Sequence, residues 1–268
     1  MIRHFNLWCD GQPLTTDGTL AHAYREVFHS PDNTKALALQ IEPEQEHLVY
    51  HIESSPKDQV QPKLHSQQYL KPGDKIAHPH PRLIDIATRK VLPLDETLLP
   101  VPWSLGQVHW APDGKTVFML YNKRGHQTLR LLAVDARTGQ CHCVIEEKSA
   151  TFIDYSQKTY LHFLDATNEV LWASERDGWN HLYLYDTKTH QVKQQVTQGQ
   201  WLVRQVLHVD EAKREVWFMA NGLAQLDPYY QQLCRVRLDG TGSTLLTDAP
   251  GTHEVTFSPD RQTFLDQW

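Results

Sequence analysis

Short apolar stretches separated by polar turns repeat along nearly the whole chain. Val170 to Ala173 is apolar and β-prone, and the stretch from Ser174 to Asn180 is rich in polar turn-forming residues. Leu182 to Tyr185 then alternates in the pattern of a strand, with the two leucines on one face and the two tyrosines on the other. No segment shows a convincing amphipathic helical pattern. The chain is therefore predicted to be all-β and antiparallel.

The strands group in fours. Residues 107–145 hold four predicted strands in about 40 residues, and similar groups cover about 159–196 and 203–247. Ser-Pro-Asp or Ala-Pro-Asp turns at 30–32, 111–113 and 258–260 fit the tight link between a first and a second strand. Four-stranded units of this period are typical of the blades of a β-propeller, which must stack to bury their apolar faces.

The earliest complete group is less regular. Strands are expected at Arg25 to His29 and Lys35 to Ile41, with Leu48 to Ile52 as the third strand of the blade. Residues 54–81 contain five prolines, at 56, 62, 72, 79 and 81, and are predicted to be a mostly irregular insertion. Such a segment is either an interface or cavity wall, or a plain surface insertion. Arg82 to Ile86 and Lys90 to Leu94 then resume the blade.

The count predicts four whole blades and two half blades within one partial propeller domain over residues 1–268. Phe5 to Cys9 and Gln12 to Thr16 form a hairpin that turns at Asp10-Gly11, before the first whole blade. Glu254 to Phe257 and Thr263 to Asp266 form two inner strands after the last one. The half blades are expected to pair and close a five-bladed ring. If they stay open, they are expected to pair between copies in a homo-oligomer.

Composition excludes several classes of protein. The 268 residues carry a net charge of −6, and the pI is near 6.2, which argues against nucleic-acid binding. No apolar run is long enough to span a membrane, and the N-terminus lacks the apolar core of a signal peptide. The compartment is left open between cytoplasm and periplasm. The four cysteines are expected to be reduced thiols, with Cys141 and Cys143 on one face of a strand.

Metal and cofactor chemistry is not indicated. Among sixteen histidines the closest pair is His78-Pro79-His80, and Cys141-His142-Cys143 places its histidine opposite the two thiols. Neither group is joined by a second pair at zinc-binding spacing. Glycine-rich phosphate loops are absent, so no cofactor is predicted.

The sequence resembles a known family. Residues 174–186 read Ser-Glu-Arg-Asp-Gly-Trp-Asn-His-Leu-Tyr-Leu-Tyr-Asp, and five other stretches agree with the same family in the family's order, at 52–59, 69–74, 121–127, 227–230 and 239–242. This pattern is similar to the N-terminal β-propeller of dipeptidyl-peptidase-IV-like serine peptidases, in the prolyl oligopeptidase group. The resemblance covers nearly the whole chain. It implies the middle and end of an eight-bladed propeller.

The resemblance also implies where the chemistry lies. In the family the Ser-Asp-His triad follows the propeller, and this chain has no Gly-x-Ser-x-Gly nucleophile motif. The parent is expected to be a serine-type dipeptidyl peptidase, whereas this chain is expected to be inactive alone. Family propellers can hold the substrate amine with paired glutamates. The corresponding stretch here is Gly18-Thr19-Leu20-Ala21, which has none, so the substrate specificity is left open.

Other carboxylates do not replace that pair. Glu26 is predicted to lie on a strand, and Glu42, Glu44 and Glu46 are predicted to form a solvated hairpin tip. The remaining candidates for substrate binding lie in the turn at 174–180. They are Glu175, Arg176, Asp177 and Trp179. For Arg176 the alternative is an ion pair with its flanking carboxylates that fixes the loop, and for Trp179 it is packing.

These observations predict a non-catalytic propeller that gates peptide access and docks the hydrolase domain of the parent peptidase. Its partners would be peptide substrates and that hydrolase domain. The alternative is a free-standing propeller that binds protein partners as a scaffold. A propeller glycosidase would need paired carboxylates that converge on a central channel, and their convergence is not visible in the sequence.

Overall fold

The computed structural model describes residues 1–92, 94–223 and 227–268, and it is built from strands, with one 3₁₀ turn at Asp165–Thr167. The strands are numbered in chain order. They are β1 (Ile2–Arg3), β2 (Asn6–Cys9), β3 (Gln12–Pro13), β4 (Ala23–His29), β5 (Lys35–Glu42), β6 (Leu48–Glu53), β7 (Lys63–Gln68), β8 (His78–Asp85), β9 (Lys90–Leu92), β10 (Pro102–Trp110), β11 (Thr116–Lys123), β12 (Thr128–Asp135), β13 (Cys141–Lys148), β14 (Leu161–Leu164), β15 (Glu169–Ser174), β16 (His181–Asp186), β17 (Gln191–Gln195), β18 (Leu202–Asp210), β19 (Glu215–Asn221), β20 (Gln231–Arg237), β21 (Thr244–Leu245), β22 (Glu254–Phe257) and β23 (Phe264–Gln267).

Four of the sheets are four-stranded and antiparallel, which confirms the predicted all-β fold and its blades. Their strand orders are β4-β5-β8-β9, β10-β11-β12-β13, β14-β15-β16-β17 and β18-β19-β20-β21. A three-stranded sheet, β1-β2-β3, precedes them and a two-stranded sheet, β22-β23, follows. The predicted N-terminal hairpin is present, with Cys9 opposite Gln12. Asp10 and Gly11 have φ of 49° and 74°, the left-handed backbone of a two-residue hairpin turn.

One strand assignment was wrong. Leu48 to Ile52 is not the third strand of its blade, because β6 pairs with β7 in a separate two-stranded sheet. The third strand is β8, which pairs with β5 from Lys35–Asp85 to Glu42–His78. We call the segment from Leu48 to Gln68, which leaves the blade between its second and third strands, the β6–β7 arm.

The irregular insertion expected over residues 54–81 is accordingly corrected. It contains β7 and the first half of β8, including Pro79 and Pro81. In an antiparallel pair of strands, only every second residue exchanges backbone hydrogen bonds with a given neighbouring strand. Pro79 and Pro81 are two residues apart, so the hydrogen bonds of the residues that alternate with them are kept. In addition, β9 pairs only with Leu83, Ile84 and Asp85, beyond the prolines. The predicted strand from Lys90 to Leu94 is observed to Leu92, and Pro93 lies outside the described residues.

The chain divides into two compact units. Unit 1 comprises Met1–Gly125 and Leu131–His142, and unit 2 comprises His126–Arg130 and Cys143–Trp268. In unit 1 a buried cluster joins the N-terminal hairpin to the first complete sheet, through Leu7, Leu14, Tyr24, Ala38 and Ile84. The prediction of a single propeller domain over 1–268 stays a prediction.

In unit 2 the core fills the space between the sheets β14–β17 and β18–β21. Leu171, Leu182 and Leu184 from the first of these sheets cluster with Val216 and Phe218 from the second. These side chains follow the period-2 alternation of their strands, so the pattern that predicted each strand also selected the face that packs. Trp172, on the other face of β15, is completely buried as well.

The two ends of each four-stranded sheet differ. The connections after first and third strands are mostly tight turns, and Asp85, Asp135 and Asp186 each accept a hydrogen bond from the backbone N–H three residues later. The connections after second and fourth strands include the longest ones. They are residues 43–77, which contain the β6–β7 arm, and residues 93–101, 149–160, 222–230 and 246–253. We call this end of each sheet the loop edge. Loops held by a rigid scaffold commonly carry function, so candidate sites are expected there.

Candidate functional site

The turn from Glu175 to Asn180 lies at the loop edge of the sheet β14–β17. It is closed by the pair Ser174–His181, the last rung between β15 and β16. Gly178 has φ of 94°, a conformation that favours glycine, and its N–H bonds the carbonyl oxygen of Glu175 at 3.0 Å. The Asp-Gly pair of the sequence therefore provides the backbone reversal that displays its neighbours.

Arg176 is held by β13 and not by its flanking carboxylates. Its Nη2 donates to Oε1 of Glu147, which also accepts the indole N–H of Trp172 at 3.1 Å. The guanidinium carbon lies 4.3 Å from the ring centre of Tyr183. Burial opposes the charge, but the nearby Glu147 carboxylate raises the pKa of Arg176 overall. The ion pair expected within the turn is thus replaced by one that ties the turn to β13.

Glu175 and Asp177 have separate partners. Glu175 Oε1 accepts from Nζ of Lys158 at 2.5 Å. Asp177 accepts from the backbone N–H of Trp179 at 3.1 Å and from the hydroxyl of Tyr183 at 3.1 Å. Burial pushes the pKa of Asp177 up, but these hydrogen bonds outweigh it and hold the pKa below its ordinary value. Burial and the same Asp177 bond raise the pKa of Tyr183 to about 12.

Two of the four candidates, Glu175 and Arg176, line a cleft of about 270 Å³, and Asp177 is not among its lining residues. Phe152, which is about half exposed, is at the same cleft. The sequence analysis did not single it out. We call this space the turn cleft.

The wall of the turn cleft contains two polar atoms without a partner among the described residues. They are Oδ1 of the buried Asn180 and Oγ1 of Thr159. Nδ2 of Asn180 donates to the carbonyl oxygen of Val203 at 2.7 Å, which fixes the amide. An unsatisfied buried group costs about 1–3 kcal/mol, so a donor brought by a ligand or solvent would be stabilising there.

A second cavity, of about 600 Å³, shares Lys158 with the turn cleft as a lining residue. Trp179, the fourth candidate, lines it together with Arg204 and Tyr229. Trp179 is 39% exposed and Tyr229 is 83% exposed, so both rings face outward. We call this space the Arg204 cavity.

The remaining predicted positions are accounted for separately. Glu26 lies on β4, as expected. Glu42 ends β5, where the Lys75 ammonium holds the pKa of its carboxyl below the ordinary value, and Glu44 and Glu46 are exposed. His78 and His80 stack with ring centres 4.3 Å apart. Within the part of the chain that the structure describes, no group of three or more histidine, cysteine or acidic residues is placed to hold a metal ion. The four cysteines are free thiols.

Sequence reasoning missed the residues from elsewhere in the chain that contact this turn or line the cavity beside it. Glu147 lies 29 residues before Arg176, Lys158 lies 17 residues before Glu175, and Arg204 lies 29 residues after Glu175. None of the three carries a local motif. Tyr229 did belong to a quoted stretch, Asp227 to Tyr230, but nothing local indicated that it faces a cavity. Only the pairing of the strands brings these side chains together.

Consecutive four-stranded antiparallel sheets with this turn chemistry define a protein of the β-propeller class. Residues 22–268 match the family described as the dipeptidyl peptidase IV (DPP IV) N-terminal region, and the chain belongs to that family.

Individual relatives agree. The chain is 25% identical over 237 residues to "Dipeptidyl peptidase 4" of Arthroderma otae, which covers 79% of this chain and 29% of that protein. The crystal structure of dipeptidyl peptidase 4 from Porphyromonas gingivalis superimposes with a TM-score of 0.71 at 19% identity, over 96% of this chain and 37% of that one. A putative dipeptidyl aminopeptidase IV from Bacteroides ovatus gives 0.67 at 20% identity, over 99% and 41%.

The chain therefore spans less than half of the length of these relatives. A helix long and apolar enough to cross a membrane was not found among the described residues.

Proposed function

We propose that this chain is the non-catalytic propeller region of a dipeptidyl-peptidase-IV-like serine peptidase. It restricts which peptides reach the hydrolase domain, and it provides a surface on which that domain docks. The observation that carries this proposal is the loop edge. The longest connections, the turn cleft and the turn at 174–180 all lie at this end of their sheets, whereas the opposite end carries mostly tight turns.

The turn cleft suits contact with a peptide and not bond cleavage. Four of its six charged residues neutralise one another, as Glu147 pairs with Arg176 and Glu175 pairs with Lys158. Of the other two, Lys148 pairs with Glu146 outside the cleft, and Asp154 accepts hydrogen bonds from Ser156 and Gln157. A carboxylate held by a neighbouring cation is a poor general base, and hydrolysis of a peptide needs a nucleophile, a base and an oxyanion hole together. The half-exposed Phe152 ring instead offers an apolar contact, and the buried Asn180 and Thr159 atoms without a partner among the described residues belong to the lining residues beside it.

The β6–β7 arm suits docking. Leu48, Tyr50 and Ile52 alternate onto one face of the arm, and Leu64 lies opposite Ile52 on that face. These four side chains are 42 to 70% exposed. The other face carries His51, Glu53, Lys63 and His65. An arm with one apolar and one polar face is expected to cover its apolar face with a partner, and the hydrolase domain is the partner we propose.

Turnover of a chromogenic dipeptide amide tests the proposal. The purified chain of 268 residues should show none, and a protein in which the codons after Trp268 encode Gly-x-Ser-x-Gly, then Asp and His, should show turnover. Cleavage by the chain alone would refute the non-catalytic assignment. A reading frame without that motif would favour the scaffold alternative.

The proposal that the propeller restricts access of peptides to the hydrolase domain is tested with a variant of the turn cleft. In the parent peptidase, Glu175→Gln removes the carboxylate that pairs with Lys158 in the turn cleft. We expect kcat/KM for a longer peptide to fall several-fold more than kcat/KM for the dipeptide amide, because only the longer chain reaches the propeller. Glu211→Gln, which removes an exposed pairing with His162 at the opposite end of a sheet, is the matched control. Equal effects of the two variants would contradict gating at this cleft.

A further inference from the structure

The Arg204 cavity is positively charged in a chain that is negative overall. Its lining residues include Lys158 and Arg204 and, among the described residues, no carboxylate. Lys158 is paired with Glu175, so its charge is largely neutralised. Arg204 has only a neutral partner among the described residues, because its Nη1 donates to Oε1 of Gln157 at 3.1 Å. One guanidinium in the cavity is thus without a counter-ion.

Arg204 lies at an irregularity in the pairing of β18 with β19. Val203 pairs with Ala220 and Gln205 pairs with Met219, so Arg204 is an extra residue in β18 that has no partner in β19. This is a β-bulge, a feature that re-aims a side chain and is common beside binding sites. The bulge turns Arg204 out of the regular alternation at the loop edge of its sheet.

Aromatic rings flank the same space. Trp179 comes from the turn after β15, and Tyr229 comes from the connection after β19, where its N–H bonds Oδ1 of Asp227 at 2.9 Å. An arginine without a counter-ion beside exposed aromatic rings is the combination that recognises a carboxylate next to an apolar group.

We propose that the Arg204 cavity binds a carboxylate of a peptide. Arg204 pairs with the carboxylate, and Trp179 and Tyr229 contact the apolar side chain beside it. The proposal rests on the proposed function, since it takes peptides to be the molecules that pass the loop edge. It adds to that function a preference for peptides that carry negative charge.

The carboxylate has two possible sources, an acidic side chain or the C-terminus of the peptide. Three synthetic peptides of equal length separate them. The first has an internal Glu and an amidated C-terminus, the second has Gln there and a free C-terminus, and the third has Gln and an amidated C-terminus. Each is titrated into the purified full chain by isothermal calorimetry. We expect the first or the second to bind up to about fivefold more tightly than the third, with the advantage lost at high salt.

The variant Arg204→Gln should bind all three peptides alike, and Arg204→Lys should keep part of the preference. Arg25→Gln is the matched control. Arg25 is the equivalent bulged residue of β4, where Tyr24 pairs with Gln40 and Glu26 pairs with Leu39. It also lines a cavity, but that cavity contains Glu44 and Glu46, so its charge is already compensated. This control should leave the preference unchanged.

Equal affinity for the three peptides, or a preference that survives Arg204→Gln, overturns the inference but leaves the gating proposal standing, since that proposal is judged by turnover in the parent. Absence of binding by any of the peptides overturns it too. So does a rise in the mass of the chain in solution that Arg204→Gln abolishes, because the occupant would then be a second copy.

Discussion

At the scale of single residues, Arg176 shows why spacing along a chain does not identify ion pairs. Two carboxylates flank it in the sequence, and neither is its partner. Side chains of consecutive turn residues point in different directions, so Glu175 reaches Lys158 and Asp177 reaches Tyr183. The guanidinium lies instead against Glu147 and the rings of Tyr183 and Tyr185. Arg176 therefore stabilises the turn by fastening it to β13.

Arg176→Gln should lower the free energy of unfolding by about 1–2 kcal/mol, because the Glu147 carboxylate, whose side chain is 15% exposed, loses its cation in a poorly solvated place. Urea denaturation measures this loss. Arg176→Lys should recover part of it through charge alone, without the planar stacking on the tyrosines. Arg137→Gln, at an exposed turn residue, is the control and should change little. An unchanged midpoint for Arg176→Gln would show that the pair is merely a surface contact.

At the scale of elements, the repeated aspartate turn acts as a staple between third and fourth strands. Asp85 is the clearest example. Its Oδ1 accepts from the N–H and the hydroxyl of Thr88 at 2.8 and 2.7 Å, and its Oδ2 accepts from Lys35 at 3.2 Å. These bonds, led by those from Thr88, lower the pKa of Asp85 to about 2. The spacing Asp-x-x-Thr recurs in the sequence at 85–88, 135–138 and 186–189, but it does not by itself indicate the size of this effect.

Asp85→Asn should cost on the order of 1 kcal/mol at neutral pH, after allowance for solvent screening of a carboxyl that is a quarter exposed. Because the folded pKa lies below the unfolded value of 3.8, the charge stabilises the fold above about pH 4 and ceases to do so as the pH falls towards about 2. Urea titrations of both proteins across this range should therefore converge at the acid end. A difference that is constant with pH would contradict a role for the charge.

The β6–β7 arm is an element whose existence depends on pairing at a distance. Tyr69 donates its N–H to the carbonyl oxygen of His47 at 2.8 Å, so the two ends of the arm meet where it leaves the blade. The four-stranded sheet of the blade, β4-β5-β8-β9, does not include the strands of the arm. The apolar face of the arm is thus expected to matter for docking and not for the fold of this chain.

Leu64→Asp places a charge on the apolar face, and Gln67→Asp places the same charge on the polar face. In the chain alone, both variants should melt within a few degrees of the unchanged protein, since both sites are exposed. In the parent peptidase, Leu64→Asp alone should lower the melting temperature and increase proteolysis between the domains. Equal behaviour of the two variants in the parent would argue against docking through this face.

At the scale of the whole molecule, the two incomplete sheets raise the question of association. At the C-terminal sheet β22-β23, Leu265 is 63% exposed and Trp268, just after it, is 70% exposed. At the N-terminal sheet, Met1 is 71% exposed. Incomplete sheets with exposed apolar residues invite further strand pairing. Whether that pairing occurs within one chain or between copies stays a prediction.

Sedimentation equilibrium of the purified chain measures the outcome. Pairing within one chain gives a single species near 31.0 kDa that does not change with concentration. Dimers or larger species alone would contradict it and would support association through the half blades. Loss of such species on deletion of residues 254–268 would locate the contact at β22 and β23.

The amino-acid sequence by itself determined the blades and most of their turns, because alternation of apolar residues and residues with fixed turn preferences are local properties. It led to the family for the same reason, since residues 174–186 are contiguous. The tertiary structure alone decided that β8 and not β6 completes the first whole blade, because that depends on which distant strand matches β5 in register. It also decided which cations meet Glu147 and Glu175, and it left Arg204 without a counter-ion among the described residues, because those contacts join residues that only folding brings within reach.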